Sequence, residues 1–129
     1  MRYCLDTHTV IWAVKDDPRL GRNARKVISS SNREDLLLPS LVLLQISMLL
    51  SKGRLEIHGS PASFLKSVAG LFHQAELSPE IVHQAMKLEL PHGDPFDRVI
   101  AATAMVNRAA LLTRDSHLAN CQSIETVWD

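Results

Sequence analysis

The sequence predicts a three-layer α/β domain built on a parallel sheet of about five strands. Two observations carry that expectation. Short apolar runs alternate with helix-period patterns along the whole chain, the signature of βαβ units. Ser60-Pro61, Ser78-Pro79 and Asp94-Pro95 each place an N-cap before a proline at the first helical position, which marks helix starts between those runs. A chain of 129 residues is read as one domain, 1–129, long enough for a real core.

The elements follow in order. Arg2–Leu5 reads as a first strand, and Thr7–Val14 as a helix with Val10, Ile11 and Val14 on one face. Asp17-Pro18 breaks that pattern, and Gly21–Ser30 resumes it with Ala24, Val27 and Ile28 apolar. Asp35–Pro39 is a second strand, Leu36-Leu37-Leu38 closed by proline. Ser40 is expected to cap a helix running to about Lys52, ended by Gly53. Two capped helices follow from Ser60 and Ser78, with room for a third strand around His73–Leu77. Asp94-Pro95 starts a helix to about Arg108. Ala110–Thr113 and Ser123–Val127 read as the last two strands. No repeat or low-complexity segment interrupts the series.

Composition narrows the class. The chain is 46% hydrophobic with zero net charge, which argues for a folded globular protein and against a strongly basic nucleic-acid coat. No apolar run reaches membrane-spanning length; the nearest, Leu36–Leu50, is broken by Pro39, Ser40, Gln45 and Ser47. Met1-Arg2 leads straight into a strand-like run, so no signal peptide is read and a cytoplasmic location is expected. Cys4 and Cys121 lack metal-finger or disulfide spacing and read as small buried hydrophobes. The charges are distributed unevenly: residues 1–64 carry nine Lys/Arg against six Asp/Glu, residues 65–129 five against eight. Arg19, Arg22, Arg25 and Lys26, then Lys52 and Arg54, form either a solvated face or a phosphate-contacting rim.

The chemistry gathers in four distant stretches: Leu5-Asp6-Thr7-His8, Gln45, Asp94-Pro95-Phe96-Asp97-Arg98, and Leu112-Thr113-Arg114-Asp115. Each acid sits where a strand ends or a helix begins, and in an open parallel sheet those edges share one crevice. Read singly, Asp6 and Asp94 are N-caps, Asp97 complements a helix dipole, and Asp115 is a turn residue. Read jointly, they are carboxylates on one sheet edge, and such a cluster suits a hard dication, Mg²⁺ or Mn²⁺. Thr113 and Ser116 either hydrogen-bond Asp115 or cap a turn. Arg98 either holds a flanking phosphate or makes a structural ion pair. His58, His73, His83 and His117 read as surface residues, and His92 as a weak ligand candidate near Asp94. An aspartyl-nucleophile phosphatase would need a second acid where His8 stands, and a receiver domain would need adjacent acids after the first strand.

These stretches, with Trp12, Asp16-Asp17-Pro18-Arg19-Leu20, Gly53-Arg54-Leu55 and the run from Leu90 through Asp97-Arg98 to Ala101-Ala102, resemble the PIN-domain ribonucleases of the VapC toxin type. The resemblance covers nearly the whole chain. It implies a PIN-like three-layer fold, divalent-metal-dependent cleavage of RNA, a homodimer and a cognate antitoxin protein as partner. Carried over by position, the family's metal-binding acids fall on Asp6, Asp97 and Asp115, with Asp94 as an auxiliary acid. The family's remaining acid, a glutamate in the helix after the second strand, falls on Gln45. That departure removes a negative charge and a proton acceptor from the catalytic set Asp6, Gln45, Asp94, Asp97 and Asp115. Two readings follow: an endoribonuclease toxin attenuated by Gln45, or a catalytically impaired relative acting as an RNA- or protein-binding module. The helix Leu41–Leu50, apolar around nearly its whole circumference, points in either case to burial in a core or at an association surface.

Overall fold

In the computed structural model, which describes residues 1–90 and 93–129, five short strands form one sheet. They are β1 (Tyr3–Leu5), β2 (Leu36–Pro39), β3 (His73–Ala75), β4 (Ala110–Leu112) and β5 (Thr126–Val127). Their order is β3-β2-β1-β4-β5, and every neighbouring pair is parallel. The central strands are almost pure hydrophobe because a parallel sheet is covered on both faces. β2 and β4 are buried throughout, and so are Cys4 and Leu5 of β1.

The helices described are α1 (Thr7–Val14), α2 (Arg22–Ser30), α3 (Ser40–Ser51), α4 (Pro61–Leu71), α5 (Pro79–Lys87), α6 (Pro95–Val106) and α7 (Ser116–Ala119), with a 3₁₀ turn at Arg33–Asp35. They give the expected three-layer α/β/α arrangement. Leu5, Leu37, Leu38, Leu111 and Leu112 from the sheet meet Val10, Val42, Ile46, Val68, Ile100 and Leu118 from the helices in one core. The motif residues Pro91 and His92 lie outside the described residues.

The predicted caps form for the local reason given. Ser60 accepts from the Ser63 amide and Ser78 from the Ile81 amide, with the following proline locked into the first helical position. Ser40 behaves differently. β2 runs into α3 with no loop, so Pro39 occupies the cap position and Ser40 is already helical. Its hydroxyl instead donates to the Ala75 carbonyl at 3.2 Å and ties α3 to β3. Gly53, just past the end of α3, takes φ +68°, the left-handed conformation that glycine adopts without strain. α7 has no counterpart in the sequence reading: at four residues it is too short to show a period.

α3 shows which part of an all-apolar helix this chain can cover. It packs against α1, α4 and α6, and only Val42 and Ile46, one turn apart, are buried. Leu41, Leu43, Leu49 and Leu50 are half-buried, and Leu44 is 52% exposed with Met48 beside it on the open side. No helix among the described residues is long and apolar enough to cross a membrane.

The C-terminus closes the fold over α2. Gly21 has no side chain to cap that helix. The Trp128 carbonyl accepts from the Ala24 amide at 3.0 Å, and the Asp129 carboxylate accepts from the Arg22 amide at 3.0 Å. A Cβ on Gly21 would stand 2.4 Å from the Trp128 carbonyl oxygen. Gly21→Ala therefore forces the C-terminal strap off α2. It should cost about 1–3 kcal/mol of stability, as overpacking does, read as a lower urea midpoint with an unchanged m-value.

Candidate active site

The strand order creates the site. From β1 the chain proceeds to β2 on one side, while β4 flanks β1 on the other, so the connections at the carboxyl ends of β1 and β4 part in opposite directions and leave a crevice. Asp6 follows Leu5 at the end of β1. Thr113, Arg114 and Asp115 follow Leu112, its register partner at the end of β4. α3, continuous with β2, brings Gln45, and the first turn of α6 brings Asp94 and Asp97. All but the buried Thr113 meet in one open cleft of about 450 Å³, lined by Asp6, Thr7, His8, Trp12, Gln45, Asp94, Asp97, Arg114 and Asp115. Four carboxylates face one arginine there.

A buried hydroxyl network orients the acids. Asp6 Oδ1 accepts from the Thr9 amide at 3.0 Å and lies 2.7 Å from the Thr9 hydroxyl. That hydroxyl is also 2.7 Å from the Leu112 carbonyl, so its single proton serves two acceptors. Asp6 Oδ2 accepts from the Thr113 hydroxyl, whose oxygen accepts from the Asp115 amide at 3.0 Å. One threonine thus links the two acids across the β1–β4 boundary. On the opposite side, the Thr7 hydroxyl donates to the Gln45 side-chain oxygen. Thr7, Thr9 and Thr113 are all buried.

Capping and site-building prove to be one arrangement. Asp6 caps α1. Asp94 caps α6 through the Phe96 amide at 2.9 Å, and Asp115 caps α7 through the His117 amide at 2.8 Å. In each case Oδ1 makes the bond, which turns the carboxylate along the helix axis at the crevice and sets its charge against the positive helix end. Asp97, half-buried one turn into α6, faces the same cleft.

Several sequence expectations are decided here. Arg98 does not face the cleft: its guanidinium donates to the carbonyls of Ala85 and Leu88, at 3.2 and 2.7 Å, and fastens α6 to the end of α5. Its role is structural because α6 turns it towards carbonyls that α5 leaves open. Arg25 is drawn to Asp16 and to the Asp17 carbonyl rather than to a phosphate rim, while Arg22 and Lys26 are solvated. His58, His73, His83 and His117 are exposed as expected. Cys4 is buried, and burial, reinforced by the charge of Asp6, pushes its thiol well above the ordinary range, so it is inert. Cys121, expected to be buried, is only partly so, since it follows the short α7 at the surface. Thr113 bonds Asp115 as expected, through the Asp115 amide, whereas the buried Thr7 and Thr9 and the roles of Trp12 and Arg114 were missed. The weak available signal was a threonine just past both strand ends, Thr7 next to Asp6 and Thr113 two residues before Asp115.

The donor set suits a hard dication: carboxylate and amide oxygens in a net-negative cleft. Among the described residues, no three His, Cys, Asp or Glu side chains stand close enough to hold an ion by themselves.

Comparison with known proteins gives consistent findings. The family model of the PIN domain matches residues 3–122. Ribonuclease VapC22 of Mycobacterium tuberculosis is 26% identical over 127 residues, covering 96% of each chain. Among solved structures, VapBC2 from Rickettsia felis, bound to a DNA fragment from its promoter, superposes with a TM-score of 0.73 at 18% identity over 100% of both chains. A toxin–antitoxin complex from Klebsiella pneumoniae superposes at 0.65 with 16% identity, covering 97% of this chain and 95% of that one. At such identities the superpositions establish the fold.

Thr113 provides a test of the network. Thr113→Val keeps the shape but removes both the donor to Asp6 and the acceptor for the Asp115 amide. Stability should fall by about 1–3 kcal/mol, the cost of an unsatisfied polar group, and the Asp115 amide should lose hydrogen-exchange protection.

Proposed function

The chain belongs to the PIN-domain family, and from that premise we propose that it is a divalent-metal-dependent endoribonuclease, the toxin of a type II toxin–antitoxin pair, working in the cytoplasm. The observation that carries this reading is the cleft itself, where Asp6, Asp94, Asp97 and Asp115 from three separate chain segments meet at the switch point of the sheet. The ribonuclease named among its relatives supports RNA as substrate, and the toxin–antitoxin complex sharing its fold supports an antitoxin as partner.

In this reading Asp6, Asp97 and Asp115 hold Mg²⁺ or Mn²⁺, with Asp94 at the margin. When bound, the ion supplies Lewis-acid relief of the charge that builds on phosphate oxygens and makes water a better nucleophile. The chain's residues provide the positions. Thr113 and Thr9 hold the Asp6 carboxylate in one orientation, so little reorganisation is needed when charge develops. The α6 N-terminus presents Asp94 and Asp97 from a rigid element.

Gln45 adjusts this scheme. Its amide oxygen still faces the cleft with the Thr7 hydroxyl bonded to it, but it brings no charge and accepts no proton. Two unit charges about 4 Å apart interact by roughly 4 kcal/mol at an effective dielectric of 20. Desolvation offsets part of that, and a net loss on the order of 1–2 kcal/mol corresponds to about five- to thirtyfold weaker metal binding. The Thr7 hydroxyl can donate equally to a carboxylate oxygen at the same place, so Gln45→Glu is sterically compatible. The test is cleavage of a mixed RNA pool with and without chelator, alongside calorimetric Mn²⁺ binding. Wild type should cleave slowly and only with metal, Gln45→Glu should raise both affinity and rate, and Asp97→Asn should abolish cleavage. Equal metal affinity and rate in wild type and Gln45→Glu would remove Gln45 from the site. RNA binding with no metal-dependent cleavage in either protein would favour the non-catalytic binding module.

The open side of α3, with Leu44 and Met48, is proposed as part of a homodimer surface, since a monomer rarely leaves a large continuous apolar face to water. Sedimentation equilibrium should return a dimer, and Leu44→Glu with Met48→Glu should return a folded monomer. A wild-type monomer at high concentration would overturn that assignment.

A further inference from the structure

Two arginines and a histidine converge on one buried indole at the edge of the cleft. Trp12 is 7% exposed, and its ring lies 5.9 Å from Trp128, tilted by 57°. The Arg19 guanidinium sits 5.1 Å from the Trp12 ring centroid and the Arg114 guanidinium 5.9 Å. His8 stands 5.5 Å from the same ring, at the solvent side.

The two arginines are not equivalent. Arg19 is taken by Asp17 in a two-pronged pair, Nε to Oδ1 at 3.1 Å and Nη2 to Oδ2 at 2.8 Å. The Arg19 hydrogen bond holds the Asp17 carboxyl down at about 2, so the pair is intact above the ordinary carboxylate range and is lost only as pH falls through about 2. Arg114 has no carboxylate within ion-pair distance among the described residues, is exposed, and is the one Lys or Arg among them that lines the cleft. Its charge lies within cation–π range of the indole. A cation–π contact leaves the guanidinium N–H groups able to donate elsewhere, and their planar fork matches two phosphate oxygens at once.

An acidic cleft repels the polyanion that it is meant to cut. A phosphate beside the scissile one needs a fixed cation at the lip, close to the acids but not neutralised by them. We propose that Arg114, in cation–π contact with Trp12, is the substrate-binding residue that holds an RNA backbone phosphate flanking the cleavage position, with Trp12 as its positioning residue. This rests on the ribonuclease reading above and assigns to Arg114 the phosphate contact that Arg98, tied to α5, does not make.

The experiment uses the full-length chain and a labelled single-stranded RNA oligonucleotide of mixed sequence. Anisotropy is measured in chelator across a salt series, and steady-state cleavage in Mg²⁺. Arg114→Ala should weaken binding about tenfold, the size of one charge-assisted contact, and lower the slope of log K against log salt by about 0.7, the value for one phosphate on a single strand. In cleavage, KM should rise while kcat changes little. Arg114→Lys should restore the salt slope, since it keeps the charge. Trp12→Phe should retain the binding of wild type, whereas Trp12→Leu, checked for an intact fold by circular dichroism, should lose slope as Arg114→Ala does. Unchanged slope and unchanged KM in Arg114→Ala would overturn the proposal while leaving wild-type cleavage, and so the ribonuclease reading, in place. Weaker binding with an unchanged slope would overturn the phosphate contact. A wild-type chain that neither binds nor cleaves RNA would bring down both.

Discussion

The adjacency of β1 and β4, and the hydrogen bonds that cross their carboxyl ends, is the constraint on which the rest of the site depends. The Asp6 carboxylate accepts hydrogen bonds from the Thr9 amide, the Thr9 hydroxyl and the Thr113 hydroxyl, and Thr9 reaches across to the Leu112 carbonyl as well. The Thr9 and Thr113 side chains that make them are buried, so an unmet partner there would be costly. They also solve two problems with the same atoms. The first turn of α1 acquires its cap, and an acid is fixed in the crevice with little freedom left to lose when a ligand arrives. Asp94 and Asp115 repeat the device on α6 and α7.

The charge balance of the cleft is the second physical theme. Four carboxylates in about 450 Å³ make a strongly negative pocket, well suited to a cation and ill suited to a nucleic acid. Gln45 moderates that field by withholding a fifth charge, and Arg114 opposes it from the rim. The Arg114 guanidinium lies 5.9 Å from the Trp12 ring, within reach of its quadrupole, and makes no ion pair with the acids among the described residues. Arg19, on the same ring, is already committed to Asp17, so the two similar contacts have different consequences.

Much of the fold was legible in the chain because its signals are local. Ser60-Pro61, Ser78-Pro79 and Asp94-Pro95 specify helix starts through one side-chain oxygen and one fixed dihedral, so each cap could be read from a few residues. The apolar runs Leu36–Leu38 and Leu111-Leu112 announced strands buried on both faces. Ser40 misled because its neighbour β2 enters α3 without a turn, and α7 escaped because four residues carry no period. The acids could be named as a group, since each lies where an apolar run stops or a helical pattern begins.

What the sequence determined by itself, then, was the kind of elements present and the set of acids at their ends, because both follow from short-range sterics and capping chemistry. Tertiary structure alone decided which groups touch. The Thr113–Asp6 bond spans 107 positions, and the Thr7–Gln45 bond 38. Arg98 and Arg114 are equally cationic on paper. One is spent on the carbonyls at the end of α5 and the other lies over Trp12 at the cleft. Strand order and helix packing aim those side chains, and no local pattern encodes either, because each depends on which distant hydrophobic surfaces find one another when the chain collapses.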